Sequence, residues 1–477
     1  MSFMESLGDN NIAIGEPKSM RNVKVIVGGV GNVVCWEPGI RLEGCTIELL
    51  GNNSLVYVSK MFQPFRAHII IGNGATLYIG NDSFFHPRQP IRINVDDNAV
   101  VCLGNDLLTS INVNVDTAGD GNELNVGDHS WLCHGASVMG SSIIAPNTIV
   151  ASRALLRDCQ TDSYSCWGGK NRLLQTDVLF SKVGLRLLTR RQLKLREQLP
   201  TSEADAIQNI AGIDFASLVP RIRECNTPQE RCECIATEKE SVRFKRMRNP
   251  KLSAAGRLES MQNKVAGLFM RSDNLILGEF EDDNGDSRIM FSGTGNVMIV
   301  EPGVRLCGCL IKFRGNNGLL YLSRSDEPYR FVTTIHNDST VFFGHNNQFA
   351  LRGNRVQISP AEGKAIVIGN RCRLEAGTWI RTSDQHAIYS KNTLKRINPA
   401  EPVVFAQDVV AGEDCVVQKG VWADRCSIPA HSLVLRDKKD HNDPYAELAR
   451  KLSKTSSMRF RRHEAKRFAN NNSYNSR

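Results

Sequence analysis

Long apolar runs are missing from this chain of 477 residues, and none approaches the roughly 18 consecutive apolar residues a helix needs to cross a bilayer. The opening stretch MSFMESLGDNNIAIGEPK has neither a basic start nor an apolar centre, so it does not read as a secretory signal. The expectation is a cytoplasmic protein, held at the inner membrane only by peripheral contact. Paired C-x-x-C motifs are missing as well. The 14 cysteines are scattered, and the tightest groups, Cys232/Cys234 and Cys307/Cys309, do not make zinc-site spacing. They read as small buried apolar residues in a reducing compartment, and no metal is expected. What is present, 41% hydrophobic and 23% charged residues, is the composition of a soluble globular protein long enough for two or three domains.

The net charge of +9 is unevenly placed. Between residues 445 and 477 nine Lys/Arg face two Asp/Glu, so 9 − 2 = +7 of it lies in the last segment. This basic tail reads either as a solvated, partly disordered end or as a segment drawn to anionic lipid or anionic polymer. No nucleic-acid partner is expected.

The chain contains itself twice. GNVVCWEPGIRLEGCTIELLGNNSLVYVS (31–59) and GNVMIVEPGVRLCGCLIKFRGNNGLLYLS (295–323) align without gaps at an offset of 264, with 17 of 29 positions identical. Further on, residues 126–158 fit 405–437 at an offset of 279, so the second copy holds 14 additional residues between the anchors Gly104-Asn105 and Val126. Within each copy apolar residues recur every six positions: branched Val126, Leu132, Val138, Ile144 and Val150 in the first, and at the same spacing Phe405, Ala411, Val417, Ala423 and Pro429 in the second. Small or polar residues follow four positions later, as at Ser130, Ala136, Ser142, Thr148 and Ala154. A period of six suits a coil of three short strands, each giving one inward aliphatic residue and one small residue at a corner, with successive coils stacked at the strand spacing of about 4.8 Å. Gly-Asn pairs at 51–52, 72–73, 80–81, 104–105, 315–316 and 369–370 would supply left-handed backbone angles at those corners.

Residues 170–270 lack hexads and are rich in Leu, Arg, Lys, Glu and Gln. TDVLFSKVGLRLLTRRQLKLREQL (176–199) reads as helix, and PTSEADAIQNI opens with an N-cap and an acidic first turn. The expected fold is mainly β: a first left-handed parallel β-helix over 22–168, an α-helical linker over 169–275, a second β-helix over 285–440 and the basic tail over 441–477.

The second copy is interrupted by IRTSDQHAIYSKNTLKRIN (380–398), which carries a single histidine. The hexads together with Ser383-Asp384-Gln385-His386-Ala387-Ile388, Arg396-Ile397-Asn398, Lys419-Gly420-Val421 and Ser432-Leu433-Val434 resemble the hexapeptide-repeat acyltransferases, and among them the bacterial sugar and polysaccharide O-acetyltransferases. The resemblance covers residues 285–437 well and 22–158 partly. It implies an acetyl-CoA-dependent transfer to a sugar hydroxyl of a capsule or lipopolysaccharide, a site between neighbouring β-helices of a trimer, and His386 as the general base. Asp384 and Asn398 are implied as its orienting partners, and Gly412, Lys419 and Trp131 as donor contacts. Where the family reads V-W-I-G, the second copy has Val409-Val410-Ala411-Gly412 without the tryptophan. The first copy keeps it at Trp131 but lacks the histidine stretch.

Histidine suits the task because its ordinary pKa lies near neutrality, and general-base help of this kind is worth about 10²–10⁴ in rate. A loop reaches across to a neighbouring groove where a coil residue cannot. Two other classes stay open: a nucleotide-sugar N-acetyltransferase, and an inactive scaffold of a glycan-assembly complex. His129 and His134 do not complete a zinc set, since Met139 stands where a third ligand would be needed.

Overall fold

A computed structural model describes residues 4–6, 10–87, 89–210, 212–241, 263–264, 274–435 and 443–472. The protein is mainly β, a parallel β-helix in each of two compact units. The first comprises Met1–Phe180, Leu199–Arg248 and Tyr389–Lys395, the second Ser181–Gln198, Asn249–Ile388 and Arg396–Arg477.

In the first unit the strands Val33–Trp36, Leu55–Val58, Thr76–Ile79, Val100–Leu103 and Glu123–Val126 pair in parallel, each with the next coil. A second face runs from Lys24–Val27 to Leu155–Arg157, and a third includes Leu108–Thr109, Trp131–Leu132 and Ile149–Val150. The second unit repeats this register. Val297 pairs with Leu319 and Leu319 with Thr340, the positions reached by adding 264 to Val33, Leu55 and Thr76. The hexad residues Val126, Leu132, Val138 and Val150 are fully buried in a continuous aliphatic core, as are Ser130, Ala136, Ser142 and Thr148 at the corners.

Three expectations about the coils are corrected. The strict hexad holds only near the ends of the copies. There Trp131 pairs with Ile149, a step of three hexads, whereas the steps from Leu55 to Thr76 and from Thr76 to Val100 are longer. The earlier coils carry extra corner residues. At the last coil the series slips by one. Ile428 is buried while Pro429 is exposed, because Val410 pairs with Ser427, one position short of three hexads. The Gly-Asn pairs also work differently. The left-handed angles fall on the residue that follows, such as Asn53 (φ 54), Asp106 (φ 57) and Asn317 (φ 57). The glycine itself is required by close approach, since a Cβ on Gly51 would stand 2.1 Å from the Asn73 nitrogen of the next coil. The asparagines form ladders between coils: the Asn81 N–H donates to Asn105 Oδ1 (2.7 Å), and the Asn105 N–H to Asp128 Oδ1 (2.5 Å).

Six helices are present among the described residues: α1 (Arg190–Leu195), α2 (Thr201–Gln208), α3 (Phe215–Glu224), α4 (Pro228–Ser241), α5 (Pro444–Lys454) and α6 (Met458–Asn472). The single helix expected over 176–199 is not formed. Val178–Gly184 is a strand, and only Arg190–Leu195 is helical. Val178, Leu179, Phe180, Ser181 and Val183 are buried, and a run buried on both faces suits a strand rather than an amphipathic helix. The N-cap of α2 is Pro200, with no side-chain hydrogen bond. The helical expectation for 242–262 and 265–273 lies outside the described residues.

Over residues 443–472 the basic tail is not a solvated end. Asp443 caps α5, accepting from the Tyr445 and Ala446 N–H groups (2.8 and 3.1 Å). Tyr445, Leu448, Ala449 and Leu452, one helix face, pack on Val297, Leu319, Tyr321, Phe342 and Val367 of the second β-helix. Arg461 of α6 is fully buried. Its guanidinium donates to the carbonyls of Asp338 (2.9 Å), Ser339 (3.3 Å) and Asn317 and to Thr340 Oγ1 (3.1 Å). In the first unit, Arg231 of α4 donates to the carbonyls of Gly74 (2.7 Å), Ala75 (3.2 Å) and Asn53 and to Thr76 Oγ1 (2.7 Å). The four acceptors again differ by the offset of the duplication. The repeated element is therefore a β-helix with a helical hairpin on one face, and α3–α4 and α5–α6 are the same part.

Candidate active site

The interruption in the second copy lengthens one coil. Trp379 pairs with Val416 and Arg373 with Val410, steps about twice as long as that from Val404 to its partner Trp422. The surplus is the inserted stretch. Expected as a loop, it contains a strand, His386–Ser390, which lies beside Val178–Gly184. Within the second unit the Leu185 N–H donates to the Gln385 carbonyl at 2.8 Å. Period-two burial of Ala387 and Tyr389 is the sequence signal for this strand.

Asn398 clasps the strand. Its Oδ1 accepts from the Ile388 N–H (2.6 Å), and its Nδ2 donates to the His386 carbonyl (2.9 Å) and to Asp384 Oδ2 (3.0 Å). Lys419 Nζ stands 2.5 Å from Asp384 Oδ2 and donates to the Asn398 carbonyl (3.0 Å). Burial alone pushes the Asp384 carboxyl upward, but the Lys419 ammonium and the Arg381 guanidinium hold it below the usual carboxylate range. The Arg381 guanidinium lies over the Trp379 ring, 4.9 Å from its centroid.

Behind this cluster lies a residue to which the motif gives no clue. Glu362 takes a two-pronged ion pair from Arg396 (2.7 and 3.2 Å) and a hydrogen bond from the Ser383 hydroxyl. The side chains of Glu362 and Arg396 are 3% and 7% exposed. Glu362 sits one coil before Ser383, and no spacing within the motif points to it.

His386 itself is half-buried. Its imidazole is pushed down to about 4, by burial first and then by the cations Arg186 and Lys182. The structure thus brings His386, Asp384, Asn398 and Lys419 into one cluster. Gly412 lies at a coil corner of the same unit, where a Cβ would stand 2.5 Å from the Ala430 nitrogen, and its carbonyl accepts from Thr378 Oγ1 (3.1 Å). Trp131 belongs to the first unit. It is buried, its ring 5.6 Å from that of Phe180. Phe180 also stacks on His129 (4.3 Å), whose Nδ1 meets Asp106 at 2.6 Å and whose Nε2 donates to the Phe180 carbonyl at 3.0 Å. Among the described residues no group of three or more His, Cys, Asp or Glu is placed to hold a metal.

The histidine-bearing interruption of a parallel β-helix is the feature that carries the resemblance to the sugar O-acetyltransferases, and comparison with known proteins finds partial similarities. Over 128 residues, 27% of this chain, the sequence is 29% identical to the polysialic acid O-acetyltransferase of Neisseria meningitidis. The chain spans 58% of that relative's length. Among solved structures, the polySia-specific acetyltransferase NeuO matches 35% of this chain and 78% of its own, at 22% identity and a TM-score of 0.30. The polysialic acid O-acetyltransferase OatWY matches 36% of this chain and 81% of its own, at 22% identity and the same TM-score of 0.30. No protein-family model matches the chain.

Proposed function

We propose that the chain is an acetyl-CoA-dependent O-acetyltransferase acting on a sugar hydroxyl of a bacterial surface polysaccharide, a capsule or lipopolysaccharide, with His386 as general base. The observation that carries this reading is the way His386 is held. The longest coil among the described residues carries it, and Asn398, Asp384 and Lys419 lock the backbone around it. The similarity to a polysialic acid O-acetyltransferase supports the class of acceptor.

With its pKa pushed down to about 4, the imidazole is neutral at physiological pH, the form a general base must take, and a weaker base than an ordinary histidine until substrates reshape its surroundings. The acceptor hydroxyl oxygen attacks the thioester carbonyl while its proton passes to His386. The carbon–sulfur bond then breaks, and the thiolate leaves and takes that proton. Asp384 and Asn398 act by holding the strand; Gly412 and Lys419 of the second copy and Trp131 of the first are the proposed donor contacts. The protein is proposed to self-associate about a three-fold axis, in the cytoplasm. The exposed cations Arg459, Lys466 and Arg467 of α6 are the proposed contacts with an anionic membrane or polymer.

One feature favours the inactive scaffold as a second reading: Val410, 38% exposed, stands where the resembling family has tryptophan. The test is to incubate the purified protein with acetyl-CoA and a panel of glycans, reading free thiol and glycan mass. Thiol release with an alkali-labile mass gain supports O-transfer. An alkali-stable gain points to N-transfer, and no gain with any acceptor points to the scaffold.

A further inference from the structure

A recess of about 480 Å³ lies in the second unit against the last turns of α5. Its lining carries four cations, Lys364, Arg450, Lys451 and Lys454, and one carboxylate, Glu447. That carboxylate is already paired with Lys451 at 2.7 Å. Lys364, Arg450 and Lys454 have no carboxylate at ion-pair distance among the described residues. Lys364 is half-buried, and burial first, then Arg190, pushes its ammonium down, against the opposing pull of the Glu362 and Glu401 carboxylates. The Arg190 guanidinium, ion-paired with Asp338 at 3.7 Å, donates to the Gly363 and Ser453 carbonyls at 3.2 and 2.9 Å, fixing a fifth cation beside the recess. Lysines in the last turn of a helix are accounted for by its macrodipole. Lys364 is not, since it comes from a coil corner. A partly desolvated ammonium with no carboxylate at ion-pair distance gains from an anion.

The recess also adjoins the root of the interruption. The Ala361 N–H donates to Thr382 Oγ1 (2.8 Å) and the Glu401 N–H to the Thr382 carbonyl (3.1 Å), so both ends of the inserted stretch meet at this corner. The same corner turns Glu362 toward Ser383 and Arg396, while Lys364 and Pro402 line the recess.

We propose that this recess is an oxyanion subsite, taking a phosphate, pyrophosphate or carboxylate group that one of the two substrates carries away from its reacting atoms. The identity of the substrate rests on the acetyl-transfer reading; the binding of an oxyanion does not.

The test compares the wild type with the triple variant Lys364→Gln, Arg450→Gln, Lys454→Gln, and with Lys18→Gln, an exposed lysine of the first unit, as an exposed-charge control. In calorimetric titration with inorganic pyrophosphate, the triple variant is expected to bind at least about tenfold more weakly than wild type, the loss of one charge-assisted contact or more, with the control unchanged. In turnover, a KM raised for acetyl-CoA but not for S-acetylpantetheine, which lacks the phosphates, assigns the oxyanion to the donor. A KM raised for a carboxylated acceptor alone assigns it to the acceptor. Equal pyrophosphate binding by wild type and triple variant, no binding by either, or unchanged KM for both substrates overturns the proposal. If the wild type shows no acetyl transfer, the functional reading fails while the titration still decides the subsite.

Discussion

His386 is an ordinary histidine made useful by its backbone. Replacing it with alanine removes the proposed base and leaves the clasp intact, since Asn398 holds the carbonyl of residue 386 and the N–H of Ile388 rather than the ring. The expected result for His386→Ala is a loss of about 10²–10⁴ in kcat at unchanged melting temperature; near wild-type turnover would remove it from the mechanism. Its depressed pKa has a consequence for stability. The unfolded chain takes a proton on His386 near its ordinary 6.5 and the folded protein only near 4, and buried His336 behaves alike, at about 3. Stability from these groups is fully present above pH 6.5 and falls as pH drops toward 4. Urea midpoints measured between neutral pH and the folded-state pKa of His386 check this, and His336→Phe is expected to flatten the dependence. Glu362 offers a sharper test of the support behind the site. Glu362→Gln leaves the Arg396 guanidinium buried without its carboxylate, at a cost of about 3–5 kcal/mol, read as a lowered urea midpoint.

Among the elements, the helical hairpins behave as faces of the β-helices. Arg461 supplies donors to three backbone carbonyls at a coil edge. Arg461→Met removes them and costs about 1–3 kcal/mol for each buried acceptor left unpaired. Arg231→Met is expected to do the same in the first unit, where the acceptors are equivalent. Equal unfolding curves for wild type and either variant would show the guanidinium to be replaceable by water. Removing residues 443–477 is expected to give insoluble protein, because it uncovers Val297, Leu319, Tyr321 and Phe342 together. A charge-only test of membrane binding therefore uses Arg459→Gln, Lys466→Gln and Arg467→Gln in the full chain, with co-sedimentation on anionic vesicles at low and high salt. Equal sedimentation of variant and wild type would remove the anionic contact.

For the whole molecule the prediction concerns assembly. On the proposed reading the donor is shared between neighbouring copies, and closed rings supply such neighbours. Sedimentation is expected to show a trimer that carries the activity; an active monomer would mean that one chain assembles the site by itself. Tandem duplication changes matters here, since each chain brings two β-helices of matching register but only one histidine strand among the described residues.

The coils, the duplication and the place of the histidine are legible in the chain of residues alone. A six-residue period needs only local alternation of aliphatic and small residues, and a repeat at constant offset is visible without coordinates. That Val178–Gly184 and His386–Ser390 are strands is not legible, because short apolar runs read alike as helix or strand until a partner is known. Nor is the equivalence of α3–α4 and α5–α6. One reads as a linker and the other as a charged tail, and their kinship lies in which carbonyls Arg231 and Arg461 reach. Glu362 and Lys364 are hidden for the same reason. They sit one coil before the motif, adjacent to it only once parallel stacking brings neighbouring rungs together. Local pattern decides what a coil is made of; which side chains meet across coils is decided by coil length, and that varies with every inserted corner residue.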